Sequence, residues 1–162
     1  MKHFVKHISG IAAFGLFMTA SAGALGTTTP DAKGFWLTEN NKAIVEFSDC
    51  ETSKGTALCG HIVWTANPRD PAGKLKLDVE NPDPALRGQP VCGIQLIGGM
   101  RPVSLTEYKD GWVYNPRSGD TYDANVEVIS ADRLKMRGFL GISLLGRSQT
   151  WTRVSDARTG CD

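Results

Sequence analysis

Few side chains in this sequence are placed to do covalent chemistry. Nucleophilic catalysis by a Ser-His-Asp or Cys-His set requires a histidine base within hydrogen-bond reach of the nucleophile. Of three histidines, His3 and His7 lie in a basic and apolar leader, which leaves His61. That residue falls in the alternating stretch Leu58 to Trp64, opposite Ile62 and Trp64 if those point inward, and reads as an exposed strand histidine. Asp70, Asp78, Glu80 and Asp83 share one segment and could converge on a hard cation, which takes about 6–8 oxygen ligands, or act as an acid–base pair. Their spacing lacks the D-x-D-x-D-G order of a calcium loop, and they read as solvated loop carboxylates. No catalytic residue, metal ligand or cofactor is therefore assigned, and the expectation is a protein that is not an enzyme.

What remains is binding chemistry. Trp64, Trp112, Tyr114, Tyr122 and Met136 would share an interior if the alternation is read consistently, and the two tyrosines could offer hydroxyls to a ligand there. Near the C-terminus Arg147, Gln149, Trp151 and Arg153 fall on one face of an extended stretch, with Gly146, Ser148, Thr150 and Thr152 on the other. If the first set points inward, Arg147 and Gln149 must be hydrogen-bonded, and a ligand carboxylate or other polar group could meet Arg147. If it points outward, Arg153 can still stack on Trp36 as a cation–π pair. Trp36, Trp151 and Arg153 are read as structural.

The elements that must position these residues are strands. From Thr121 to Val128 apolar or small residues alternate with polar ones, Ser130-Ala131-Asp132 turns the chain, and Leu134 to Leu140 and Leu144 to Val154 continue the alternation. Upstream, Gly34 to Leu37, Lys42 to Asp49 and Leu58 to Trp64 form an opening meander. In the second of these, Ala43, Val45 and Phe47 stand opposite Ile44, Glu46 and Ser48. Cys92 to Gly98 and Arg101 to Tyr108 read as short strands around Gly98-Gly99, followed by Gly111 to Tyr114. Five prolines make a strand between Ala66 and Pro90 implausible, and a loop that long is usually functional or disordered. Within it, Asn81 reads as the N-cap of a single helical turn with Pro82 at its first position. The fold class that follows is all-β: an antiparallel up-and-down barrel of about eight strands, with one long loop containing a short helical turn.

Residues 1–24 read as a signal peptide: Lys2 and Lys6, the apolar run Ile8 to Met18, then small residues at a cleavage point. That run is too short to span a bilayer, and no cysteine follows it closely enough for a lipid anchor. A periplasmic or secreted protein without integral membrane association is expected. Residues 25–33 would be a flexible leader, 34–154 the barrel, and 155–162 a tail. Without Lys2 and Lys6 the chain has 16 basic against 17 acidic residues, which argues against a nucleic-acid partner. Cys50, Cys59, Cys92 and Cys161 form an even set without C-x-x-C, as disulfides rather than a zinc site would. Three connectivities are possible. Cys50–Cys59 with Cys92–Cys161 is preferred, because the first pair flanks a short hairpin loop and the second would tie the tail to the barrel.

Gly34-Phe35-Trp36 near the mature N-terminus, with Arg153 on the last strand, resembles the lipocalin and calycin pattern. More specific are Leu58-Cys59-Gly60-His61-Ile62-Val63-Trp64, Asp78 with Asn81-Pro82-Asp83-Pro84, Gly111-Trp112-Val113-Tyr114-Asn115-Pro116, Arg137-Gly138 and Leu145 to Arg153. In that order they resemble a bacterial exported family, domain of unknown function 2147, from Gly34 to Arg153. The resemblance implies a lipocalin-like barrel and supplies no activity. The expected function is binding of a small amphipathic or hydrophobic molecule in the barrel interior. The alternative is a cell-envelope module that binds a protein, for example a wall-degrading enzyme, through Ala66 to Pro90.

Overall fold

A computed structural model describes residues 30–158 and 161, so the expected signal peptide lies outside the described residues. Eight strands close into one barrel in chain order: β1 (Gly34–Leu37), β2 (Ala43–Thr52), β3 (Gly55–Thr65), β4 (Gln95–Pro102), β5 (Glu107–Asn115), β6 (Asp120–Ser130), β7 (Arg133–Phe139) and β8 (Gly146–Val154). Every neighbouring pair is antiparallel, and β8 closes on β1 through Trp36 opposite Arg153. This is the up-and-down barrel that successive hairpins favour, because a tight turn returns the chain beside the strand it leaves; across the long 66–94 connection β4 still pairs with β3.

One end of the barrel is solid. Trp36, Phe47, Leu58, Ile97, Met100, Val126 and Leu134 are buried there with almost no exposure, as alternation along each strand sends them inward. Trp36 donates its indole N–H to the Ala32 carbonyl at 2.7 Å. The guanidinium of Arg153 lies 4.1 Å from the Trp36 ring centroid and donates to the carbonyls of Asp31, Lys33 and Ala131. Thus the last residues of the expected leader are packed across this end, with Ala32 fully buried.

Three local expectations need correction. Gly98-Gly99 is not a turn but lies inside β4, and the turn falls at 103–106 instead. These glycines serve packing: a Cβ on Gly98 would run into the Trp112 ring, and one on Gly111 would come within 2.7 Å of the Gly98 carbonyl oxygen. Second, the register of β2 against β3 shifts between Ile44 and Val45, so that Val45 opposes Ile62 while Ile44 opposes Trp64. Val63 is the extra residue of this bulge, and it turns Trp64 out of the interior together with Ile44. Third, the single turn is a 3-10 helix at Pro84–Leu86 capped by Asp83, whose carboxylate accepts from the Ala85 N–H, with Pro84 where Pro82 was expected. Asn81 instead accepts from the Asp83 N–H, holding the approach to that cap.

The cysteines are joined as Cys50–Cys59 and Cys92–Cys161, with Cα atoms 5.8 and 5.4 Å apart. The first crosses the β2–β3 hairpin. The second brings the tail back to the start of β4, and on the way Arg158 stacks 4.7 Å over Trp64. In a chain-entropy account the bond closing 69 residues restrains the unfolded chain more than the one closing 9: about 4 against about 2.5 kcal/mol. Replacing Cys92 and Cys161 by serine is therefore expected to lower the urea midpoint further than replacing Cys50 and Cys59, measured by tryptophan fluorescence on the two double variants.

Candidate functional site

The other end of the barrel is hollow. A cavity of about 1190 Å³ opens where the 38–42, 66–94, 116–119 and 140–145 connections meet. Its apolar surface comes from Ile62, Leu96, Val113, Met136 and Trp151. Trp151 also packs against Phe47 of the solid end, with ring centroids 6.1 Å apart, and so divides filled interior from empty interior. The register settles which face of β8 is inside: Trp151 opposes Leu134, Gln149 opposes Met136 and Arg147 opposes Gly138, all facing the lumen. Gln149 accepts from the Trp151 indole N–H at 2.9 Å and is held at the wall. Arg147 stands above it at the mouth, opposite a glycine that leaves its side chain room.

The charge around this mouth is one-sided. Lys42, Lys76, Arg117 and Arg147 border the cavity, and among the described residues no aspartate or glutamate does. None of the four forms an ion pair with another described residue. The cavity is thus a vessel with an apolar floor and a cationic rim, a pattern suited to a molecule with an apolar body and a negative or polar head.

The long segment after β3 is ordered against this mouth rather than loose. Its two arms pair through Leu77 and Pro90, and the Asp78 and Val91 N–H groups donate to the carbonyls of Gln89 and Lys76. Asp78 is fully buried, and its carboxylate accepts from Tyr114 Oη at 2.8 Å, Asn81 Nδ2 at 2.7 Å and Gln89 Nε2 at 3.4 Å. A carboxylate taken from water needs such donors. The Tyr114 hydroxyl is pushed up to about 12, first by burial and then by the hydrogen bond and charge of Asp78, with Glu80 adding to it. Gly119, at φ +73°, lets the β5–β6 turn lie directly under the Glu80 carbonyl, where any Cβ would collide. Asp70 and Asp83 are likewise engaged, accepting backbone N–H groups of their own turns.

Of the six residues expected to meet a ligand, Met136, Tyr122 and Arg147 border the cavity, and Tyr114 borders it with its hydroxyl already committed to Asp78. Trp64 and Trp112 do not. Trp64 is displaced by the bulge, and Trp112, opposite Gly98 and Asp123, lies on the outer face because its neighbour Val113 points inward with Tyr122. Sequence reading missed Leu96, Lys42, Lys76 and Arg117. Leu96 fell within the expected strand Cys92 to Gly98 but was not assigned a face, Lys42 was read as the first residue of a strand and stands just before β2, and Lys76 and Arg117 sit on connections where no periodicity reports direction. His61, opposite Glu46, is half-buried on the outer face.

Comparison with known proteins bears on the same frame. Residues 34–153 match the model of a family described as uncharacterized protein conserved in bacteria, DUF2147. Among solved structures, the chain is similar to one described as protein HP1028 from the human pathogen Helicobacter pylori, which belongs to the lipocalin family. The two share 26% identity and a TM-score of 0.66, over 78% of this chain and 85% of that one. No curated protein matches the sequence.

Tyr114→Phe would leave buried Asp78 short of one donor, and a loss of roughly 1–3 kcal/mol in unfolding free energy is expected. Because the folded-state pKa of Tyr114 lies above its ordinary 10.0, its contribution is complete below pH 10 and is lost as pH rises towards 12. Denaturation of both proteins across that range should therefore show their stability gap narrowing; a gap that holds constant to pH 12 would contradict this role.

Proposed function

The chain belongs to the DUF2147 family of bacterial proteins, built on a lipocalin-like barrel, and on that footing we propose that it binds a small amphipathic molecule inside the open end of the barrel. The apolar part lies on Met136, Ile62 and Trp151, and a carboxylate or other anionic head meets Arg147. The observation that carries this is the cavity itself. An eight-stranded barrel is just wide enough either to fill with side chains or to hold one ligand, and here half of it is filled and half is not. At about 1190 Å³ the hollow half exceeds the few hundred cubic ångströms at the lower end of ligand sites.

The protein acts by binding rather than by catalysis in this proposal. His61, the one histidine after the leader, is on the outer face, and the cysteines are bonded. Export through the leader at residues 1–24 is part of the same proposal, supported by two disulfides, which persist in oxidising compartments. Periplasmic or secreted destinations both fit. Action on an envelope protein through Ala66 to Pro90 is less well supported, since Asn67, Pro68, Lys76 and Leu77 of that segment border the cavity.

The test is titration with an undecanoic acid carrying a dansyl group, followed by dansyl fluorescence, and with its methyl ester. Arg147→Gln is expected to weaken binding of the acid about tenfold or more, the size of a lost charge-assisted hydrogen bond, and to leave the ester unchanged. Equal affinity of the variant for both forms, matching the native protein, would remove Arg147 from the site.

A further inference from the structure

The connection between β7 and β8 carries Leu140, Ile142, Leu144 and Leu145, which are 65, 59, 85 and 74% exposed. No charged residue interrupts Leu140 to Leu145. The loop is held as a compact turn: the Gly141 N–H donates to Asp123, the Ile142 N–H to the Leu140 carbonyl and the Leu145 N–H to the Ile142 carbonyl. Leu140, Ile142, Leu144 and Leu145 stand largely in solvent beside the cavity. Contiguous apolar side chains left in water on this scale mark a surface that something else covers.

Position and charge narrow what that is. Leu140 and Leu145 border the cavity, so the apolar tip stands at its rim, and Lys42, Lys76, Arg117 and Arg147 surround the same opening. Of the carboxylates near this end, Glu39 accepts from the Thr150 N–H, Asp120 from the Tyr122 hydroxyl and Asp123 from the Gly141 N–H, and none of the three borders the cavity. A second copy docked mouth to mouth would set these four cations against themselves, since a two-fold interface apposes the same patch on both subunits. A bilayer with anionic headgroups satisfies both features at once: the cations meet the headgroups and the leucines reach the acyl boundary.

We propose that the open end of the barrel docks on an anionic lipid bilayer through Leu140 to Leu145, and that the cavity exchanges its ligand with that bilayer rather than with free solution. The exchange rests on the ligand-binding function proposed above; the docking does not. The apolar tip enters the interface next to the cavity mouth, so an amphiphile passes from lipid to barrel without crossing water.

The experiment is co-sedimentation with vesicles of equal parts phosphatidylglycerol and phosphatidylcholine, against phosphatidylcholine alone, for the protein without its leader and for the double variant Ile142→Ser, Leu144→Ser. Neither substituted residue borders the cavity. The native protein is expected to bind the anionic vesicles, about tenfold more weakly the neutral ones, and to be released by high salt. The double variant should bind the anionic vesicles at least about tenfold more weakly while taking up the dansyl-labelled acid from water as the native protein does. Native protein left in the supernatant with anionic vesicles, or a variant that sediments equally well, would overturn the docking. So would a native dimer, seen by sedimentation velocity, that the double substitution dissolves, since a second copy would then be the occupant. Failure of the native protein to bind the dansyl-labelled acid would instead strike the ligand function and leave the vesicle result to stand by itself.

Discussion

Closure at one end is the constraint on which the rest of this barrel depends. Strand β1 is only four residues long, yet it must complete a ring against both β2 and β8. It does so by burying Trp36 and covering that ring with Arg153, which spends its N–H groups on three carbonyls from the 31–33 segment and the β6–β7 turn. A guanidinium can do this because its donors are planar and its face stacks on an aromatic ring. With that end sealed and packed, the large side chains that alternation sends inward are used up near the plug. Those towards the other end, Ile62, Val113 and Met136, are too few to fill the lumen, and the cavity is the remainder.

The second disulfide and the long segment complete the open end from outside. Cys161 is tied to Cys92 just before β4, and the tail delivers Arg158 onto Trp64. The 66–94 segment is pinned by Asp78, a buried side chain on which the donors of Tyr114, Asn81 and Gln89 converge. The rim is therefore cross-linked and hydrogen-bonded on this side, while the β7–β8 connection opposite presents leucines to the surroundings. Tethering and apolar exposure are segregated around one opening.

Much of the fold was legible in the sequence, and the physical reason is period two. Alternation from Thr121 to Val154 identified three strands and put Arg147, Gln149, Trp151 and Arg153 on one face, though not which face. Only the partners Leu134 and Met136, fixed by register, decide that. The errors arose where a local feature has two uses. A Gly-Gly pair commonly makes a turn, but Gly98 clears space for Trp112 and so continues a strand. A single bulge at Val63 reversed the direction of Trp64, which no alternation count can anticipate. Asn81 and Asp83 both suit an N-cap, and Pro84 placed the turn after the second. Lys76 and Arg117, on connections at the mouth, carried no periodic signal at all.

Two methionines follow the leader, and they report on the two halves of the barrel: Met100 is sealed in the solid end, and Met136 borders the cavity. The most direct measurement is a methyl NMR spectrum of protein labelled with carbon-13 at methionine methyls, recorded during titration with dodecanoate. A cavity that binds amphiphiles requires the Met136 signal to move to a saturated position while the Met100 signal stays where it is. Both signals unmoved at saturating dodecanoate, or Met100 moving as far as Met136, would contradict a ligand held in the open half of the barrel.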